Sequence, residues 1–353
     1  MRKLASIRTI DAIKPIEGAD AIELAMVGGW QVVVKKGEFQ VGELAVYLEI
    51  DSWVPTELAP FLSKGKEPRE FNGVKGERLR SIKLRGALSQ GLLLKFDTAV
   101  GAFVDSKFDD GQELSEVFHP GAEVTDILGI QKWEKAIPAQ LVGVMRGNFP
   151  SEIPKTDQER AQNLVAEINA AMVSGMKFEI TEKLEGSSMT CYRIRGEFGV
   201  CSRNIDLLRD DNNTFWSVAL QEEIDATMMS IDPFWDFAIQ GELIGPGIQG
   251  NIYGLTKPEF HVFDVFDIQT GKYLDPEARR NLVDRMGLIH VPIVSYSAEL
   301  YDTLGITTME QLLKFAEGKS ALKEVEREGI VFKQVDGGMT FKAVSNKYLM
   351  EEK

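Results

Sequence analysis

The stretch TEKLEGSSMT, residues 181–190, sets Lys183 at the close of an apolar, alternating run and three residues before Gly186. As a neutral amine a lysine is a nucleophile. Neutrality near pH 7 requires its ordinary pKa of ~10.4 to be drawn down by burial or by neighbouring cations. Cations occur further along the chain: Lys333 and Lys342 in the last two strand-like runs, Lys347 just beyond them, and Arg203 after the run that pairs back on the lysine's own. Taken alone, KLEG reads as a surface lysine before a turn, so its companions carry the weight.

Those companions follow in order: KLEG at 183–186, CSRN at 201–204, QGELIG at 240–245, FHVFDVF at 260–266, EGIVFK at 328–333 and FKAVSNK at 341–347. Glu242 and Glu328 supply carboxylates, although either alone could be an ordinary solvated acid. Phe263 lies in a run whose alternation would bury it in any case. GPGIQG at 245–250 fits GxGxxG literally, but no parallel β-α unit surrounds it and no helical pattern opens at once. That argues against a dinucleotide loop and for a phosphate-side or substrate-side loop. His119, His261 and His290 lie in unrelated contexts with no HExxH or triad-like setting. Cys191 and Cys201 are too few for a structural zinc site or a disulfide framework, which predicts reduced thiols. If Gly196 centres a hairpin turn, the two cysteines are cross-strand neighbours.

The elements that must position these residues are legible from periodicity. KFEITEK (177–183), MTCYRIR (189–195), FGVCSR (198–203), FAIQGELI (237–244), FHVFDVFDI (260–268), GIVFKQV (329–335) and MTFKAV (339–344) read as strands. Glycine turns at 195–197 and 336–338 join two antiparallel pairs. Helices are predicted over TDQERAQNLVAEINAAMV (156–173), near 213–229, over 276–286 with Asp275 as cap, and over 308–325 from a capping box Thr307 to Glu310. The first ~120 residues carry many short β-rich runs instead, such as WQVVV, ELAVYLEI and SIKLR, the signature of a small barrel, with an OB-type barrel the leading reading. Residues 121–155, with scattered glycines and prolines, read as a connection.

The net charge of −14 argues against a protein that coats nucleic acid non-specifically. A local footprint remains. Residues 64–89 hold eight basic and three acidic side chains, and Lys75, Arg78, Arg80, Lys83 and Arg85 are its candidate nucleic-acid contacts. No apolar run approaches the ~20 residues of a membrane helix, and the N-terminus does not read as a signal peptide. A soluble, cytoplasmic protein is expected, with no membrane partner.

The ordered motifs resemble those of covalent nucleotidyltransferases, the superfamily of ATP-dependent ligases and mRNA capping enzymes. KLEGSS, GELIGPGIQGNIYGL, EGIVFK and FKAVSNKYL look like RNA ligases, and FPSEIPKTDQERAQNL with KLRGALSQGLLL looks most like the Deinococcus type. The resemblance spans essentially the whole chain. It implies an α+β protein: an N-terminal OB-like β-barrel (1–125) that binds nucleic acid, then an adenylyltransferase domain (126–353), ATP-grasp-like, of antiparallel sheets with flanking helices. It implies a monomeric, ATP-dependent RNA ligase acting through a lysyl-AMP intermediate with Mg2+ or Mn2+, on 5′-phosphate and 3′-hydroxyl RNA ends at nicks. DNA ligation, capping, or non-catalytic RNA binding on the same fold are the alternatives.

Carried over motif by motif, the resemblance makes Lys183, Glu328 and Lys342 catalytic. Lys183 would attack the α-phosphorus, Lys342 would neutralise the α-phosphate, and Glu328 would hold the metal or an ordered water. Gly186 would let the chain turn beside the phosphate, Arg203 would fork a phosphate or ribose, Glu242 would accept from a ribose hydroxyl and share the metal with Glu328, and Phe263 would stack on adenine. Glu182 belongs to the same nucleotide-binding set. The family's last motif presents Lys-x-Lys, whereas Lys342 is followed two positions on by Val344. Lys347 or Lys333 is the expected substitute.

Overall fold

The computed structural model describes residues 3–99, 101, 118–134 and 143–351. The chain divides into two compact units, Met1–Ala136 and Ile137–Lys353.

The described part of the first unit is built from short strands: β1 (Ala5–Thr9), β2 (Ala12–Pro15), β3 (Ile22–Val27), β4 (Trp30–Lys35), β5 (Leu44–Glu49), β6 (Ser52–Pro55), β7 (Arg69–Phe71), β8 (Val74–Arg78), β9 (Ile82–Leu84), β10 (Ala87–Ser89), β11 (Gly91–Lys95) and β12 (Gln131–Lys132). They form small sheets in the orders β1-β5-β11, β2-β3-β4 and β12-β6-β8-β7, plus the hairpin β9–β10. β5 explains why LAVYLE is almost wholly apolar, because both of its faces are buried. Val46 and Leu48 pack with Ile7, Val54 and Leu128, while Ala45 and Tyr47 pack with Trp30, Val32 and Leu93. The stretch read as a connection begins inside this unit: Val124, Leu128 and Ile130 are buried in its core and β12 pairs with β6. The part of that stretch holding Pro138 lies outside the described residues.

The second unit holds β13 (Met145–Asn148), β14 (Lys177–Lys183), β15 (Ser187–Ile194), β16 (Glu197–Cys201), β17 (Ile205–Leu207), β18 (Phe237–Ile244), β19 (Glu259–Asp267), β20 (Lys272–Tyr273), β21 (Ile289–His290), β22 (Ile293–Glu299), β23 (Gly329–Gln334) and β24 (Thr340–Val344). Its helices are α1 (Val165–Ser174), α2 (Thr214–Gln221), α3 (Ile224–Ile231), α4 (Pro276–Arg285), α5 (Met309–Ala316) and α6 (Asn346–Glu351). The larger sheet runs β13-β17-β16-β15-β18-β19-β20, with β21 parallel to β19, and the smaller runs β22-β14-β23-β24. One face of each sheet is apolar and covered by helices. Met189, Cys191, Ile239 and Val262 pack with Trp216, Met228 and Leu282, and Phe178, Ile180, Ile330 and Phe341 pack with Ile168, Ala171, Leu312 and Ala316. The other face of the larger sheet carries the apolar group Ile153, Tyr192, Cys201, Ala238 and Phe266 beside its polar residues.

The predicted strands of this unit are present within a residue or two at their ends. The helices differ more. Residues 156–160 are not helical, and α1 begins only at Val165 after a 3-10 turn at Ala161–Asn163. The apolar spacing that predicted this helix starts at Leu164; before it, burial is confined to the 3-10 turn, where Ala161, Gln162 and Asn163 are buried, and residues 156–160 carry no apolar side chain to hold a helical turn against the core. The segment near 213–229 breaks at Glu223, which has φ 49°, into α2 and α3. α5 stops at Ala316, and its cap is Thr308, whose hydroxyl accepts from Gln311 N at 3.2 Å, one residue later than the predicted box. Asp275 caps α4 as expected, accepting from Ala278 N at 2.8 Å. Cys191 lies opposite Val200 and Cys201 opposite Thr190, so the buried thiols point to opposite faces of the sheet rather than at each other.

Candidate active site

Strand register builds the first half of the site. β14 and β23 pair Lys183 with Gly329, Thr181 with Val331 and Glu179 with Lys333, and β24 sets Lys342 beside Val331 and Val344 beside Gly329. Residues paired across strands share a face, so Lys183, Lys333 and Lys342 stand on one side and the Phe178–Ile330–Phe341 core on the other. Glu328, immediately before Gly329, brings Oε1 to 2.5 Å from Lys183 Nζ. The two side chains are 26% and 20% exposed, reachable by a substrate yet not in bulk solvent. Gly329 lets β24 pack closely against β23, because a Cβ there would collide with Ala343 O.

The larger sheet supplies the second half. Ser188, Glu242 and His261 lie in one cross-strand row of β15, β18 and β19. Desolvation pushes the Glu242 carboxyl up to about 7, with Glu328 adding to the rise and Lys183 and Arg203 opposing it. A carboxylate that is desolvated and faces another carboxylate is poised to accept a cation. Gly186 turns out to serve packing rather than turning. Its φ is not in the left-handed region, and a Cβ would meet Leu243 O at 2.4 Å and Glu242 Cγ at 2.8 Å. The GPGIQG stretch is a loop with no helix after it, and Gln249 Nε2 donates to Gly186 O at 3.2 Å. Tyr253 OH accepts from Glu185 N at 2.8 Å.

Next to Lys183 in the chain, Leu184 belongs to an apolar cluster with Ile244, Tyr253 and Val291, and Phe263 packs against it. Phe263 lies at a β-bulge. Gln240 pairs with Asp264 and Gly241 with Val262, which leaves Phe263 without a cross-strand partner. Phe260 and Val262 face the core, so Phe263 follows on the side of Glu242 and His261, and the bulge lets Val265 return to the core beyond it.

The expected cations do not surround Lys183 as a positive cage. Arg203 is 2.5 Å from Asp157, Lys347 is 2.8 Å from Glu326, and buried Lys333 is 2.8 Å from Asp264. The partner the structure gives Lys183 is itself a carboxylate. Neither Lys333 nor Lys347 is brought to the Val344 position, so neither substitutes there for the family's second lysine. Glu182 also departs: its side chain is on the core face and Oε2 accepts from Ala321 N at 2.9 Å. Lys183, Glu328, Glu242 and Gly186 do converge, with Lys342 on the same face as Lys183 and Phe263 against the apolar cluster that includes Leu184. Among the described residues no group of three or more His, Cys, Asp or Glu is arranged to hold a metal ion.

A family model described as RNA ligase matches residues 176–348, and one described as an OB-fold domain matches residues 4–96. Among solved structures, an apo variant of Naegleria gruberi RNA ligase aligns at 42% identity and TM-score 0.81, over 99% of this chain and 98% of that one. A variant of the same enzyme with ATP and Mn aligns at 42% identity and TM-score 0.80, covering 99% of each chain. One with AMP and Mn aligns at 42% identity and TM-score 0.81, again over 99% of each. The chain belongs to the RNA ligase family. No curated protein matches it. The ligase thus joins an N-terminal OB-fold domain to a C-terminal ligase domain, an α+β arrangement.

Two further features of the ligase escaped sequence reasoning or correct it. The segment read as the start of a helix is a strap over the ligase domain's polar faces. Pro154 O accepts from Gln240 Nε2 at 2.8 Å, Thr156 and Ser188 hydroxyls share a hydrogen bond at 2.9 Å, Asp157 holds Arg203, and Glu159 O accepts from Lys342 N at 2.8 Å. The signal available was the lack of apolar residues over 156–160. In the OB-fold domain the basic window splits in two. Arg78 pairs with Asp51 and stacks 3.7 Å over Trp133, so it serves the fold, whereas Lys75 pairs with Glu67 at 2.7 Å with both side chains exposed. Arg80, Lys83 and Arg85 are exposed, the last two on the β9–β10 hairpin where Ile82 is 49% exposed. No helix among the described residues is long and apolar enough to cross a membrane.

Proposed function

We propose that the ligase is ATP-dependent and joins a 5′-phosphate to a 3′-hydroxyl of RNA, at nicks, through AMP carried covalently on Lys183. The observation that carries this reading is the convergence of Lys183, Glu328 and desolvated Glu242 near the apolar cluster that holds Phe263 and Val291, which we read as walls of a slot for the base. Lys183 Nζ attacks the α-phosphorus of ATP; an N–P bond forms as the bond to pyrophosphate breaks. Glu328, 2.5 Å away, is within reach of the proton that the lysine gives up. AMP then passes to the RNA 5′-phosphate, and the 3′-hydroxyl attacks that phosphate and expels AMP.

Within this scheme Phe263 stacks on adenine, Glu242 receives the ribose or the metal, and Lys342 offsets charge at the α-phosphate. Arg203 forks a phosphate or ribose once Asp157 releases it. Bound Mg2+ or Mn2+ would neutralise phosphate charge. Glu242 and Glu328 are the residues that would hold it, and the Naegleria structures with ATP or AMP and Mn fit the same pairing of nucleotide and metal. Arg80, Lys83 and Arg85 are the RNA contacts of the first unit, and the second unit carries the transfer chemistry. Two buried, unpaired thiols suit a cytoplasmic enzyme, which we read as a monomer.

Intact mass of the purified chain incubated with ATP and Mg2+ tests the reading. Wild type gains one AMP and Lys183→Ala gains none. Equal gain by both would overturn the nucleophile, and no gain by wild type would favour a non-catalytic RNA-binding protein. Substituting GTP, and then comparing nicks with a 3′ ribose or a 3′ deoxyribose, separates RNA ligation from capping and DNA ligation.

A further inference from the structure

The bulge at Phe263 leaves that residue outside the β18–β19 ladder, and a buried carbonyl without a partner is unfavourable. Lys333 supplies one. Its Nζ donates to Phe263 O at 2.5 Å and lies 5.6 Å from the centre of the Phe263 ring. Lys333 itself is 5% exposed and 2.8 Å from Asp264, which Arg279 Nη1 approaches at 3.6 Å. Arg279 and Arg280 both pair with fully buried Glu179.

The same charged cluster reaches Val291, another member of the apolar group against which Phe263 packs. Arg279 Nε donates to His290 Nε2 at 3.1 Å, which requires that nitrogen to be bare, so the ring hydrogen sits on Nδ1 and is donated to Val291 O at 2.7 Å. Burial, followed by Arg279, depresses the His290 pKa to about 3, in keeping with this neutral tautomer. Two walls of the slot, Phe263 and Val291, are thereby tied by their backbone carbonyls to one set of buried charges.

A phosphate-binding role fits Lys333 less well. It lies four residues along β23 from Gly329, the partner of Lys183, a separation of about 13 Å at the usual strand rise. Its amine is already engaged with Asp264 and the Phe263 carbonyl. We propose that Lys333 and His290 are positioning residues that hold the base-facing walls of the nucleotide slot, so that the buried cluster sets affinity for the purine ring and not for the phosphates. This rests on the slot receiving adenine, as proposed above.

The test is displacement of a fluorescent ATP analogue from the full chain by adenosine and, separately, by inorganic tripolyphosphate. Lys333→Met should weaken adenosine about tenfold, the low end for loss of a charge-assisted hydrogen bond, and leave tripolyphosphate within about twofold. Lys333→Arg, which can still donate to Phe263 O, should recover most of the adenosine affinity. Equal weakening of both competitors would make Lys333 a phosphate ligand, and unchanged adenosine binding would remove any role in the slot; either result overturns the proposal. If Lys333→Met does not fold by circular dichroism, His290→Ala is read by the same two competitors with the same criteria. Because the readout is binding, failure of wild type to form an AMP adduct would defeat the proposed chemistry without deciding this result.

Discussion

Replacing Glu242 with glutamine should make the nucleotide-free protein more stable at pH 8 while destroying its chemistry. Burial raises this carboxyl from 4.5 to about 7. The native state therefore keeps a proton that the unfolded chain has already lost, and stability falls as pH rises from about 4.5 to about 7. At 1.36 kcal/mol per pH unit over that interval, the charged carboxylate costs the fold about 3 kcal/mol at pH 8, as an order of magnitude. Glu242→Gln removes the charge and keeps the shape. For a unit of this size, each kcal/mol moves the midpoint by roughly 2–4 °C, so the variant should melt several degrees above wild type at pH 8. The difference should shrink steadily below pH 7 and vanish near pH 4.5. Thermal unfolding of both proteins from pH 4.5 to 8.5, without nucleotide or divalent ions, gives the two curves. Added Mn2+ should stabilise wild type at pH 8 and leave the variant where it was, since the ion needs the carboxylate. Parallel pH curves, or a variant less stable than wild type throughout, would refute the idea that this carboxylate is held desolvated for a cation to claim.

Gly186→Ala forces a Cβ to 2.4 Å from Leu243 O, a backbone atom that cannot swing aside. A loss of at least ~2 kcal/mol in stability and a severe drop in AMP-adduct formation are expected, measured by chemical denaturation and intact mass; a variant with wild-type adduct formation would contradict the close-approach argument. In the first unit, Arg85→Ala should weaken RNA binding several-fold and lower the salt dependence by about one counterion. Arg78→Ala should instead cost about 1 kcal/mol of stability, because it strips Asp51 of its partner and uncovers Trp133. Fluorescence anisotropy against salt and thermal melting distinguish the two arginines, and interchanged phenotypes would mean that the exposed hairpin does not face RNA.

The strands that carry the site were legible because each has a short-range signature: FAIQGELI spans β18 with no residue out of place, and KFEITEK spans β14. The helix ends were not. A Thr-Asp pair before an acidic run looks like a cap, but a cap stabilises a helix only where a helical face is buried, and no apolar residue occurs in 156–160 to supply one. The strap at 154–160 takes its extended form from partners such as Gln240, Ser188 and Lys342, which lie far away in the chain.

By itself, the order of residues determined which groups could do chemistry and on which strands they sit: an amine at the close of β14, carboxylates in β18 and before β23, an aromatic ring in β19. Those are consequences of residue type and local periodicity. Only the tertiary structure decided what each group faces. Lys183 meets Glu328 because β14 and β23 pair in one register, Phe263 stands outside the ladder at a bulge, and buried Lys333 is paired with Asp264. Charge pairing and desolvation act through space over a few ångströms, and spacing along a chain does not report such distances until the sheets have closed on one another.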